Sequence, residues 1–371
     1  MQVAIQASDL DHARIDGTRV YLKQLLEYFG PLASEVCFSL YHKGQFNPEL
    51  APPSFPNYSV RSLGPAPAWM QTRFAAEMFA VHPDKLFLPI QAAPFFLPKG
   101  IEVTATIHDL AFRKFPETFP RPDRLRLNLL LERVVRRADK LIAISESTKR
   151  DLLVSFPHLT PERIRVIHHG FDEHFWEKRL PSPELTKELE SFGVREKRYF
   201  LFVGALQPRK NLERLITAFE SVFARYPDYR LVLAGEAAWL SQSIIRRARE
   251  SVAHQAIVLP GAVSFDQVRA LYQGASAFVF PSLYEGFGLP ILEAFASRTP
   301  VITGRNSSLS EVAGQGALYA DILNTEDLAL QMIRLIEDET LRSELVERGI
   351  QELKRFSWSR TARETLEYIL A

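Results

Sequence analysis

Cysteine is nearly absent: Cys37 is the only one in 371 residues. A single thiol excludes an internal disulfide framework and any zinc site built from several cysteines. Its flanks, Glu35-Val-Cys-Phe-Ser-Leu40, read as a buried strand, so Cys37 is expected to be a core thiol rather than a nucleophile. Charge of one sign is also missing. Lys and Arg total 45 against 44 for Asp and Glu, a formal charge of +1, so no nucleic-acid partner is expected. No hydrophobic run is long enough for a bilayer. The most apolar window, Leu86 to Pro98, is shorter than the roughly 20 residues a span needs, and Pro89, Pro94 and Pro98 break it. Met1 leads directly into the strand-like Val3-Ala-Ile-Gln-Ala7 with no signal-peptide pattern. A cytoplasmic protein is expected, peripheral at most to the inner face of a membrane.

What is present is an ordinary globular composition, 46% apolar and 24% charged, in a chain long enough for two domains. Short β-rich runs alternate with helical patterns through both halves. Several runs are continuously apolar, as in Phe200-Leu-Phe-Val203 and Leu231-Val-Leu-Ala234. Such runs suit central parallel strands covered by helices on both faces. The class is therefore α/β, with two doubly wound Rossmann-like domains facing a cleft. Glu173–Lys197 is charged, contains Pro181-Ser-Pro183, and reads as a linker. The expected division is residues 1–178 for an amino-terminal domain and 179–357 for a carboxyl-terminal domain. Residues 358–371 form a separate amphipathic helix with Ser357 as its N-cap.

The strongest chemical signal is Phe280-Pro-Ser-Leu-Tyr-Glu-Gly-Phe-Gly-Leu-Pro-Ile-Leu-Glu293. A buried strand ends, a glycine-bearing loop follows, and Pro290 suits the first turn of a helix. Gly286 and Gly288 let backbone N–H groups approach an anion at the helix N-terminus. Glu285 and Glu293 are placed to accept hydrogen bonds from hydroxyls. An anion bracketed by two such carboxylates describes a nucleoside diphosphate sugar. A second string, Phe202-Val-Gly-Ala-Leu-Gln-Pro-Arg-Lys-Asn-Leu212, sets Arg209 and Lys210 after another buried strand. Two cations there would hold a diphosphate and neutralise it as it leaves, without a metal. Asp9-Leu-Asp11 imitates a metal-binding pair but lacks the context for one, and no metal or other cofactor is expected.

These strings resemble the retaining glycosyltransferases of family 4, which have the GT-B fold. Supporting pieces are Asp16-Gly-Thr18, Ile107-His-Asp-Leu110, Ala143-Ile-Ser-Glu-Ser-Thr148 and Val166-Ile-His-His-Gly-Phe-Asp172. The resemblance implies that Arg209, Lys210, Glu285 and His108 form the catalytic set. It implies that Gly204, Gly286, Phe287, Gly288, Leu289 and Glu293 meet the donor, and that Gly17, Asp109 and Ser145 line the acceptor side or cleft. It also implies that the last helix crosses back onto the first domain. Only Gly17 stands between Arg14 and Tyr21, where the family is often glycine-rich, and Ala205 stands where some members carry a further cation. The implied reaction moves a hexose from a nucleotide-diphosphate sugar, GDP-mannose favoured, to a glycan or glycolipid acceptor. A nucleotide-sugar 2-epimerase of similar fold and a non-catalytic nucleotide-binding module are the alternatives. Residues 113–140 carry nine Arg/Lys against four Asp/Glu with leucines interspersed. That face reads first as a core-packing helix with a solvated edge, and second as a contact for anionic lipid.

Overall fold

The computed structural model describes residues 1–13 and 15–371; Arg14 lies outside the described residues, as do the side chains of Glu173 and His174. The chain divides into two compact units. The first comprises Met1–Leu110, Pro122–Gly170 and Phe356–Ala371, and the second Ala111–Arg121 and Phe171–Arg355.

The first unit is built on β1 (Gln2–Gln6), β2 (Cys37–His42), β3 (Tyr58–Ser62), β4 (Lys85–Leu88), β5 (Glu102–Ile107), β6 (Lys140–Ala143) and β7 (Ile164–Val166). Their order is β3-β2-β1-β4-β5-β6-β7, every pair parallel. The second holds β8 (Tyr199–Val203), β9 (Arg230–Ala234), β10 (Ile257–Gly261), β11 (Ala277–Phe280), β12 (Val301–Thr303) and β13 (Ala317–Tyr319). These run β10-β9-β8-β11-β12-β13, again all parallel. The apolar runs explain the arrangement. Phe200, Leu201 and Phe202 of β8 and all four residues of β11 are fully buried, as central strands covered on both faces require. In each unit the strand order reverses once, between β1 and β4 and between β8 and β11. Ligands of such sheets bind outside the carboxyl ends of the strands at that reversal.

Three expectations change. Cys37 is exposed, because it opens β2 at the margin of the sheet beside Gln2, and the buried run begins one residue later at Phe38. Glu173–Lys197 is not a linker. It contains the helix Ser182–Ser191, whose Leu185 and Leu189 are buried. Trp176 packs edge-on against Tyr272 at 5.7 Å, and Arg269 Nη1 donates to the Phe175 carbonyl at 3.2 Å. These contacts put the division at Gly170/Phe171, ahead of the expected residue 178. Residues 111–121 also depart from the expected first domain and belong to the second unit. There Trp239 Nε1 donates to the Thr118 carbonyl at 2.8 Å, and Phe119 lies 5.5 Å from the Trp239 ring.

The helix Trp358–Leu370 crosses back to the first unit and buries Trp358, Thr365, Leu366 and Ile369 there. Ser357 holds the N-cap position with extended backbone but caps through no side-chain hydrogen bond. Its carbonyl instead accepts from Thr361 N and Oγ1, both at 2.9 Å. Gly170 is what admits this close seat, since a Cβ at that position would lie 2.1 Å from the Trp358 backbone nitrogen. Overpacking of this kind costs about 2 kcal/mol. Gly170→Ala is therefore expected to lower the first unit's stability by that order in denaturant titrations. Gly44→Ala, with nothing within 4 Å of the added carbon, should leave it unchanged.

Candidate active site

The reversal point of the second sheet brings two distant loops into contact. After β8 the chain turns at Gly204, whose φ of 143° lies in the region glycine favours. It then forms a short 3₁₀ turn, Pro208–Lys210. Asn211 follows in the left-handed region at φ 60° and precedes the helix Leu212–Arg225. After β11 come Pro281–Phe287, then Gly288 at φ 124° as the N-cap of the helix Leu289–Ala296, with Pro290 in its first turn.

Backbone and amide hydrogen bonds join these loops. Leu283 N donates to the Arg209 carbonyl at 2.9 Å. Asn211 Nδ2 donates to the carbonyls of Pro281 at 3.2 Å and Ile322 at 2.8 Å. The segment after β12 fastens the far side. Asn306 Nδ2 reaches the Ser282 and Leu283 carbonyls at 3.0 and 2.7 Å, and Ser308 Oγ donates to those of Glu285 and Phe287 at 2.9 and 2.6 Å. Ser307 Oγ accepts from Glu285 N at 3.0 Å. The loop is thus held along most of its length before any ligand arrives.

On this frame Glu285 meets both cations. Arg209 Nη1 lies 2.9 Å from Oε2 and Lys210 Nζ 2.6 Å from Oε1, with all three side chains largely buried. Arg209 also donates to the Tyr284 carbonyl, and Lys210 Nζ sits 5.0 Å from the centre of the Phe280 ring. Burial alone would raise the Glu285 carboxyl, but the charges of Arg209 and Lys210 outweigh it and hold the group down to about 2. Glu293 behaves oppositely. Burial pushes it up to about 7, against a hydrogen bond with Tyr272 OH at 3.1 Å from Oε2. Two carboxylates eight positions apart are thereby separated in protonation, one charged at neutral pH and one titrating near it.

The remaining expected residues have different surroundings. Gly286, Phe287 and Gly288 are buried within the fastened loop, while Leu289 opens the following helix. His108 follows β5 in the first unit, where Nε2 is 2.7 Å from the Pro89 carbonyl. Burial lowers its basicity, opposed by Asp109, Asp16 and Asp9. Gly17 is the first residue of the helix Gly17–Leu32, whose N-cap Asp16 accepts from Arg19 N at 3.3 Å. Ser145 is fully buried and caps the helix Glu146–Ser155, accepting from Thr148 N at 3.0 Å. Asp11 pairs with His42 Nδ1 at 2.9 Å and accepts from Lys43 N and Gly44 N. Among the described residues no group of three His, Cys, Asp or Glu is placed to hold a metal ion. Sequence reasoning missed Tyr272, Asn306, Ser307 and Ser308, which touch or hold the site.

Comparison with known proteins follows this geometry. The family profile described as Glycosyl transferases group 1 matches residues 186–352, and that of Glycosyltransferase Family 4 matches residues 15–175. O-antigen chain mannosyltransferase B of Escherichia coli is 28% identical over 278 residues, covering 73% of this chain and 71% of that protein. Serotype-specific mannosyltransferase WbdA of Escherichia coli is 28% identical over 234 residues, which are 62% of this chain but only 28% of the relative. Among solved structures, Anabaena HepE in complex with UDP and glucose superposes over 100% of both chains with a TM-score of 0.76 at 18% identity.

The opposed carboxylates generate a prediction for stability against pH. Glu285, depressed below its ordinary 4.5, contributes stability that is full above that value and is lost as pH falls towards 2. Glu293, raised above 4.5, contributes stability that is full below that value and is lost as pH rises through about 7. In Glu293→Gln the second loss should vanish, so that unfolding midpoints decline less between about pH 4.5 and 7 than those of the parent protein. A parallel decline in both proteins would contradict the assignment.

Proposed function

The chain belongs to the family 4, group 1 glycosyltransferases, and on that premise we propose that it moves a hexose from a nucleotide-diphosphate sugar to a glycan or glycolipid acceptor with retention at the anomeric carbon. The observation that carries this reading is the Arg209–Glu285–Lys210 cluster at the reversal point of the second sheet. GDP-mannose is the favoured donor. The mannosyltransferase names of the relatives support it, and the UDP held by HepE keeps the uridine donors in the comparison set.

In the proposed reaction the bond from C1 of the sugar to the departing phosphate oxygen breaks, and negative charge grows on the diphosphate. Arg209 and Lys210 meet that charge, and the amide N–H groups at Gly286–Leu289 supply further positive potential. The acceptor oxygen bonds to C1 on the face the diphosphate leaves, and its proton passes to the departing phosphate oxygen. Glu285, which already orients both cations, accepts hydrogen bonds from the sugar hydroxyls. Glu293 accepts them from the ribose. His108, in the first unit, is assigned to the transferred sugar. None of these roles draws on a metal ion.

We further propose a cytoplasmic enzyme in peripheral contact with anionic lipid. Among the described residues no helix is long and apolar enough to cross a membrane. On the helix Arg121–Arg137, however, Leu125 and Leu129 are 68% and 57% exposed. Exposed apolar side chains among arginines fit a bilayer surface better than a solvated edge. Replacing both leucines with glutamate should abolish sedimentation with phosphatidylglycerol vesicles while leaving transfer to a water-soluble acceptor intact.

Three measurements test the enzymatic reading. The product linkage should have the donor's anomeric configuration by NMR, and an inverted product would remove the assignment. Arg209→Ala and Lys210→Ala should each lower kcat by about 100-fold, the order that loss of one transition-state donor costs, with a much smaller change in KM for the donor. Loss in KM alone would contradict the leaving-group role. Transfer should also persist in excess chelator. Formation of an epimerised nucleotide sugar from donor alone would favour the 2-epimerase reading instead.

A further inference from the structure

Within the first unit, His108 does not stand alone. Four aromatic rings drawn from four separate stretches of chain pack around one another. Tyr21 comes from the helix Gly17–Leu32, His108 from the end of β5, His169 from the segment after β7, and Trp358 from the start of the last helix. Tyr21 stands edge-on to His108, with centroids 5.3 Å apart and planes at 85°. His169 lies 4.7 Å from Tyr21, 5.7 Å from His108 and 5.4 Å from Trp358, the last at 85°. Tyr21, His169 and Trp358 are all buried.

The cluster is anchored on every side. Tyr21 OH and Thr106 Oγ1 are 3.0 Å apart, tying the tyrosine to β5 two residues before His108. Thr361 Oγ1 of the last helix donates to the His168 carbonyl at 2.7 Å, and Gly170 admits the Trp358 backbone at a distance no side chain allows. The two residues flanking His169 are therefore both clamped to the crossing helix. On the opposite side of the cluster, a carbonyl can only accept, so the contact between Pro89 and His108 requires a proton on Nε2. The neutral ring then carries its lone pair on Nδ1.

We propose that His169 is a positioning residue for sugar transfer: backed by Trp358, it holds the His108 ring in the orientation in which Nε2 donates to the Pro89 carbonyl. The inference rests on the reading of His108 as a contact of the transferred sugar, and it extends that reading to the last helix. A freely rotating His108 would offer either nitrogen, or neither, to a hydroxyl. An error of about 1 Å in such a contact costs on the order of 100-fold in rate. The groups that bear on the charge of His108 are Asp9, Asp16 and Asp109, whose effect opposes that of burial. Those that bear on His169 are His108 and His168, and with burial they keep its ring neutral. A neutral aromatic wall fixes the neighbouring ring without adding charge to it.

The test uses the full chain and reads His108 directly. Histidine-selective ¹⁵N NMR of the unmodified protein should show one His108 ring with the shifts of the Nε2–H tautomer, the signal identified by its loss in His108→Asn. In His169→Ala that pattern should give way to averaged nitrogen shifts, with kcat reduced about 10- to 100-fold and KM for the donor within about twofold. His169→Phe keeps a ring against Tyr21 and Trp358 and should restore both readouts. Unchanged His108 shifts in folded His169→Ala would overturn the proposal, as would a folded His169→Phe that fails to restore them. Where His169→Ala does not fold, Trp358→Leu carries the test, and His108 shifts unchanged in that protein overturn the proposal equally. If the chain transfers no sugar with any donor, the spectra still decide the positioning claim, so its failure is distinguishable from failure of the proposed function.

Discussion

A carboxylate buried between two cations is the constraint on which the second unit's chemistry depends. Removing three charges from water is costly, and their mutual attraction offsets that cost only when geometry is close and remaining polar atoms are satisfied. Here Glu285 supplies one oxygen to Arg209 and the other to Lys210. The loop that carries it leaves little slack. Side chains from two other segments, Asn211 on one flank and Asn306, Ser307 and Ser308 on the other, bind its backbone. The triad keeps a net positive charge in a site whose cations are already oriented. An anion arriving there would meet donors that need little reorganisation, and electrostatic stabilisation of a transition state requires that preorganisation.

Glu293 does different work with the same functional group. Among the described residues no cation pairs with it; a phenol lies beside it, and it titrates near neutrality as a consequence of burial. The separation follows from position alone: Glu285 sits in the loop facing the preceding unit of β-α structure, and Glu293 sits one turn into the helix behind it.

Much of the fold was legible because the central strands are continuous apolar runs bounded by turn residues. β8 and β9 contain the apolar runs Phe200–Val203 and Leu231–Ala234 that the sequence displays. Less was legible where polar residues act through backbone contacts. Asn306 and Ser308 lie in an unremarkable stretch, and nothing periodic marks them as fasteners of a loop more than twenty positions away. Tyr272 reads as one more apolar residue of the helix Phe265–Gly274, and only the fold sets its hydroxyl on Glu293. Arg209, Lys210 and Glu285 were each visible as candidates, with cations assigned to phosphate and carboxylate to hydroxyls. Their pairing was not, since 75 positions separate them and only the sheet order makes β8 and β11 neighbours. Prolines and charge made Glu173–Lys197 look like a connector. Its sparse Leu185 and Leu189 were too few to announce a helix, yet they suffice to seat one.

The return of Phe356–Ala371 to the first unit has a consequence for how the molecule is made. Domains of a nascent chain commonly fold in order as they leave the ribosome. This one cannot. Its first unit lacks the wall formed by Trp358, Thr365, Leu366 and Ile369 until Phe356–Ala371 is made, after the second unit's Phe171–Arg355. Until then Tyr21 and His169 lack their Trp358 contact, and the unit that starts first finishes after the second. A chain lacking Phe356–Ala371 therefore loses more than one helix. It leaves the earliest-made part of the protein incomplete, with apolar surface exposed to the quality-control machinery that removes such chains.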